Sequence, residues 1–161
     1  MQLLTGRTAG LGALATVAMD VLGVLAHRVR LISPLPPRLI GRWVVTLTQG
    51  SIRRDGIDQA LPVRHEMAIA AVVHYAVGIA FAWLYLAATS RFGVSPGSGA
   101  AAATFGLLTC VFPWLLMFPA MGYGAFGLTG PPGTTLFRSS LVGHLAYGAG
   151  IWFGARALHI I

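Results

Sequence analysis

The sequence predicts an all-α integral membrane protein, a four-helix bundle in one domain over residues 1–161 with an interfacial amphipathic helix in its first loop. Three observations predict it. The chain of 161 residues is 56% hydrophobic and only 9% charged, where a soluble domain carries about 25% charged residues, and its mean hydropathy is +0.75. Four stretches each approach the roughly 20 apolar residues that a 30 Å hydrocarbon core requires. The period-two alternation of an outer-membrane barrel is missing, so the backbone in lipid is satisfied within helices.

Composition also excludes classes. A single cysteine, Cys110, rules out a disulfide framework, a thiolate zinc site and an iron–sulfur cluster. The net charge of +7 comes from arginines opposed only by Asp20, Asp55, Asp58 and Glu66. Those arginines are not interleaved with a polar soluble surface, so nucleic acid is not a partner; the lipid bilayer is.

The first span runs over about 8–27. Arg7 ahead of it resembles a signal peptide, but Asp20 interrupts the run and no small-x-small cleavage site follows, so the helix is retained. In the loop, Pro36 and Pro37 open a helix over about 36–49, since proline in a first turn forfeits no hydrogen bond. Leu39, Ile40, Trp43, Val44 and Leu47 share one face, with Arg38, Arg42 and Gln49 elsewhere. Such a helix suits the headgroup layer, as an anchor or as a platform for lipid or a partner. Residues 50–56 break the pattern and Pro62 restarts it. The second span covers about 67–88, with His65 and Glu66 ahead of it to cap its start or line the cytoplasmic mouth. The third covers about 99–118, kinked at Pro113 and ended by Pro119. The glycine- and proline-rich stretch 121–133 predicts a flexible or re-entrant connection. The fourth span covers about 139–158.

Arginine placement predicts the orientation. Arg28, Arg30, Arg38, Arg42, Arg53, Arg54, Arg64 and Arg138 fall on one side, and Arg7, Arg91 and Arg156 on the other. The positive-inside rule makes the long first loop cytoplasmic and puts both termini outside, in a bacterial inner membrane.

Ionisable groups inside spans are costly and face protein or water rather than lipid. Asp20, His74 and His144 all fall about 8–10 Å from the cytoplasmic boundary at 1.5 Å per residue, and Met117 and Met121 close the third helix on that side. The rows Thr8-Gly12-Thr16-Asp20, Ala70-His74-Gly78-Ala82 and Ser140-His144-Gly148 put small residues beside polar ones. That pattern makes Gly12, Gly78 and Gly148 helix-packing positions. His74-Tyr-Ala-Val-Gly78 and His144-Leu-Ala-Tyr-Gly148 are also alike, a short sign of internal duplication.

Three roles fit this layer. Asp20 can accept hydrogen bonds from the histidines and fasten the bundle, at about 0.6–2 kcal/mol per bond. His74 and His144 can bind a cofactor: a haem held axially, a metal shared with Asp20 or a methionine, or chlorophyll-type pigments. The Ala70-x-x-x-His74 spacing is similar to that of light-harvesting helices. Lastly, Asp20 and a histidine can relay protons or ions. No serine–histidine–acid arrangement, phosphate-binding glycine loop or paired carboxylate site appears, which disfavours a hydrolytic enzyme.

Several short motifs run through the chain: Met19-Asp20, Gly41-Arg42-Trp43, Pro62-Val63 ahead of Glu66, His74-Tyr75, Pro119-Ala-Met-Gly122, and His144 with Tyr147-Gly148. Together they resemble a family of small bacterial inner-membrane proteins classed as a domain of unknown function. The resemblance implies four membrane helices and groups Asp20, His74, Met121 and His144; it implies no activity. Arg64-His65 stands where that pattern leads one to expect a proline- or glycine-containing turn. The functional expectation is a non-enzymatic multi-pass inner-membrane protein, an accessory or partner-binding subunit of a larger complex or a homo-oligomer. The alternative is a small proton- or ion-coupled transporter.

Overall fold

The computed structural model describes residues 2–52 and 56–160. Arg53 and Arg54, counted above toward the cytoplasmic charge, lie outside the described residues. Among the described residues the chain is helical and has no strand. Its α-helices are α1 (Gln2–Arg28), α2 (Pro37–Thr48), α3 (Glu66–Phe92), α4 (Gly99–Thr109), α5 (Phe118–Ala120) and α6 (Leu136–Ala157). A π-helical segment, Phe112–Met117, joins α4 to α5, and a 3-10 turn occupies Ala125–Gly127.

Three stretches are long and apolar enough to cross a membrane: Gly6–Arg28, Glu66–Phe92 and Gly99–Ala120, of 23, 27 and 22 residues. Even the shortest extends about 33 Å at 1.5 Å per residue. They expose large apolar side chains along their lengths, among them Val17, Val21 and Val24 on α1 and Val72, Val77 and Leu84 on α3. Water does not tolerate such a surface over whole helices. The fourth expected span lies in α6, which has the length, 22 residues, but carries Arg138, Ser139, Ser140, His144 and Arg156. It is not one of the three.

Local chemistry sets the helix ends. Pro36 and Pro37 stand at the start of α2, as their fixed φ favours. Ser98 opens α4, its hydroxyl accepting the Ala101 N–H at 3.3 Å. At the ends of α2 and α3 the chain closes with paired six-to-one and five-to-two bonds: Ser51 N–H to Thr46 and Gly50 N–H to Leu47, then Val94 to Thr89 and Gly93 to Ser90. The residue in the left-handed conformation there is glycine, Gly50 or Gly93, which lacks the Cβ that clashes.

Pro113 does more than kink its helix. It has no N–H to donate, and the following turn widens: the Phe118 N–H reaches back five residues to the Pro113 carbonyl. Pro119 then removes another donor, and the helix ends at Ala120. The stretch 121–135 continues as a series of ordered turns, tied by Tyr123 N–H to Phe118 at 2.8 Å and Thr129 N–H to Tyr123 at 3.0 Å.

The chain divides into two compact units. The first comprises Met1–Leu25, Tyr75–Thr109 and Leu141–Ile161. Its core is built largely from small residues, Ala15, Ala82, Ala102 and Ala155, with Leu11, Ile151, Tyr85 and Tyr147 between them. Phe105 meets Tyr85 and Phe81 edge to face, at centroid separations of 5.3 and 6.4 Å. The helices meet backbone to backbone. A methyl on Gly12 would strike the Ile79 Cα and the Gly78 carbonyl, and one on Gly148 would strike the Ala102 carbonyl. The second unit comprises Ala26–His74 and Cys110–Ser140. Its core holds Leu35, Leu39, Ile57, Phe118, Met121, Tyr123 and Leu136, with Trp43, Trp114 and Met117 packed against it.

These contacts give an internally controlled prediction. Gly12→Ala has no room and is expected to destabilise by about 1–3 kcal/mol through overpacking. Gly23→Ala, on the same helix with nothing within 4 Å, should stabilise by about 0.5–1 kcal/mol through helix propensity. Thermal unfolding of the two variants in mild detergent should therefore shift in opposite directions.

Candidate functional site

Polar groups in the first unit fasten its helices pairwise. The Tyr75 hydroxyl of α3 donates to Asp20 Oδ2 of α1 at 3.1 Å. The Tyr147 hydroxyl of α6 donates to the Gly78 carbonyl of α3 at 2.5 Å. The Thr109 hydroxyl of α4 donates to the Gly106 carbonyl at 2.7 Å and stands 2.8 Å from His144 Nδ1 of α6. The Thr109 hydroxyl thus links the Gly106 carbonyl of its own helix to the His144 ring of α6. Bonds of this kind between membrane helices contribute about 0.6 kcal/mol each, up to about 1.7.

Asp20 departs from the rest of its row. Thr8, Gly12 and Thr16 are buried, whereas Asp20, one turn on, is exposed. Its surroundings on α1 are the exposed apolar side chains of Val17, Val21 and Val24. A carboxylate thus sits on the apolar exterior of a helix long enough to cross a membrane, where charge is expensive.

The second unit is organised around Arg42, which the sequence places among the polar residues of an amphipathic helix. It is 5% exposed. Nε and Nη2 make a two-pronged contact with the Glu66 carboxylate at 2.9 and 3.1 Å, and Nη1 donates to the Ala60 and Ile57 carbonyls at 2.5 and 3.3 Å. Burial of a guanidinium is tolerable only when its charge and donors are met this completely. Glu66 also accepts the Val63 N–H at 3.2 Å, tying the segment ahead of α3 to the helix start. One ion pair therefore joins α2, the 57–63 segment and α3. Gly41 shares the seam: any side chain there would overlap the Glu66 carbonyl. Beside it, the Tyr123 hydroxyl donates to Asp58 at 3.4 Å. Burial pushes that hydroxyl above the usual tyrosine range, and the Asp58 carboxylate pushes it further.

The sequence-derived candidates distribute as follows. Asp20 and His144 belong to the first unit and take Tyr75 and Thr109 as neighbours. His74 lies half-buried in α3. Met121 is fully buried in the second core, and Met117 packs against that core. Gly12 and Gly148 stand against the backbone of α3 and α4, and Gly78 against the Thr16 side chain and the Gly12 carbonyl. Among the described residues, no three histidine, cysteine, aspartate or glutamate side chains converge as a metal site. Arg42 is the residue that sequence reasoning passed over. The available signal was Glu66, one of only four acids in the chain.

Compared with known proteins, the chain matches the model of the family described as "Protein of unknown function (DUF2938)" over residues 9–158. No curated protein and no solved structure matches it.

Removing one partner of the buried pair strands the other charge. Arg42→Met and Glu66→Gln should each lower the thermal midpoint far more than exposed Arg38→Met, and Arg42→Met/Glu66→Met together should recover most of the loss. A second expectation concerns alkaline pH. A hydroxyl whose pKa is raised by folding stabilises the fold below the ordinary tyrosine pKa, about 10, and that contribution is lost as pH climbs beyond it. Tyr123→Phe should therefore flatten the alkaline fall in thermal midpoint.

Proposed function

The chain belongs to the DUF2938 family, and from that premise we propose that it is a non-enzymatic, multi-pass protein of the bacterial inner membrane, an accessory subunit that docks other membrane subunits through the Asp20 face of α1. The observation that carries this reading is the exposed Asp20 among Val17, Val21 and Val24. A carboxylate facing lipid is costly, and a neighbouring membrane helix that supplies hydrogen-bond donors relieves that cost. Asp20 also accepts from Tyr75 of α3, and the other polar contacts, which lace α3 to α6 and α6 to α4, support a structural rather than a chemical role.

In this reading α6 is the fourth span, α2 lies in the headgroup layer, the long arginine-rich loop is cytoplasmic and both termini are outside. Two observations favour that topology. Arg30 and Arg138, assigned to the same side by the positive-inside rule, line one cavity. Trp43 and Ile40 are half-buried rather than enclosed on α2, leaving apolar surface for an interface.

A photo-crosslinking residue at Val21 tests the docking face in native membranes. A discrete protein adduct is expected, and Asp20→Leu should abolish it while leaving the thermal midpoint within a few degrees of the parent. Adducts with lipid alone would overturn the subunit reading. Ion flux into liposomes, lost in Asp20→Asn, would replace it with a small ion-coupled transporter.

A further inference from the structure

The last turn of α1, the segment that follows it and the start of α6 line an open cavity of about 200 Å³, in which His27, Arg30 and Arg138 are exposed. Its polar lining is His27, Arg30, Ser33, Thr135 and Arg138, and among the described residues no carboxylate lines it. The walls are held in register across 102 residues of sequence: the Ser33 N–H donates to Thr135 Oγ1 at 2.7 Å, and the Thr135 N–H returns to the Ser33 carbonyl at 2.8 Å. His27 is oriented by its Nδ1, which stands 3.0 Å from the Ile32 carbonyl and donates to it.

Two features run against local stability. The first is at Arg30. α1 closes with the Leu31 N–H on the Ala26 carbonyl and the Arg30 N–H on the His27 carbonyl, the same motif that glycine completes in α2 and α3. Here the left-handed position, φ 58°, is filled by arginine, although that conformation penalises a side chain. The second is at Arg138. It lies in the first turn of α6, which contains no acidic residue, where the helix dipole disfavours a cation. A bound anion reconciles both, because it meets the two guanidinium groups and the positive end of a 22-residue helix together.

We propose that this cavity is a binding site for a phosphate group, supplied by an anionic lipid headgroup or by a soluble phosphate. Arginine forks and hydroxyl donors are the chemistry that phosphate oxygens recognise. The volume lies below the roughly 300–1,000 Å³ of sites for drug-sized ligands, which fits a small anion. Basic pockets at the membrane boundary hold headgroups in this way. The proposal does not depend on the docking role of Asp20.

Native mass spectrometry of the full chain in non-ionic detergent tests it, titrated separately with phosphatidylglycerol and with inorganic phosphate. Saturable binding is expected, weakened at least about tenfold by Arg30→Gly or Arg138→Gln and unchanged by Arg156→Gln, which removes the same charge elsewhere. Arg30→Gly suits the left-handed position, so its thermal midpoint should hold or rise while binding falls; this separates lost binding from lost folding. That pattern with phosphatidylglycerol identifies a headgroup as the source, and with inorganic phosphate a soluble ligand. No binding of either probe, binding indifferent to Arg30 and Arg138, or an equal loss in Arg156→Gln would overturn the proposal.

Discussion

A polar group carried on an apolar helix has to find its partner within the protein or at a place where the protein meets something else. In hydrocarbon no water replaces a missing hydrogen bond. That constraint accounts for the contacts described here better than any single packing interaction. In the first unit it pairs Tyr75 with Asp20, Tyr147 with the Gly78 carbonyl and His144 with Thr109. In the second, burial within the protein makes the same demand of Arg42, which the Glu66 carboxylate and two backbone carbonyls meet. Each contact costs the chain a specific residue at a specific turn, which leaves the remaining positions free to be alanine, glycine, leucine or valine.

The helical plan was legible because it follows from signals local in sequence. Apolar runs of span length, the prolines at 36 and 37 and the glycine at 50 mark where helices begin and end, although α3 runs on to Phe92, past the expected end near 88. Pro113 was legible as a disturbance but not as a π-helical turn, because the choice between a kink and a widened turn depends on which earlier carbonyl the later N–H groups can reach. The Arg42–Glu66 pair was not legible for a different reason. Periodicity places Arg42 off the apolar face of α2, yet burial is decided by an acid 24 residues away, and nothing local announces which side of a helix will meet it. The exposure of Asp20 escaped notice likewise. Helical spacing puts it in a row with Thr8, Gly12 and Thr16, and the row stops being buried at its last member.

The two proposed sites use the same logic from opposite directions. Asp20 is a charge displayed on apolar surface, and Arg30 with Arg138 are charges placed at helix termini where backbone geometry and dipole oppose them. Both are local disagreements between a residue and its setting, of the kind that folded chains retain at functional positions. Family membership over residues 9–158 assigns no activity, so such disagreements are the most direct physical guide to what the molecule does.

The glycine contacts of the first unit have a consequence for motion. Where Gly12 faces Gly78 and Ile79, and Gly148 faces Ala102, the meeting surfaces are backbone. Glycine and alanine have no rotamers to lose, so bringing these helices together sacrifices almost no side-chain entropy. The same surfaces have no rotamers with which to absorb a displacement. Helices joined in this way cannot slide by repacking side chains, as leucine-rich interfaces do. At these glycine contacts, any displacement has to be taken up by the backbone of the two helices rather than by their side chains.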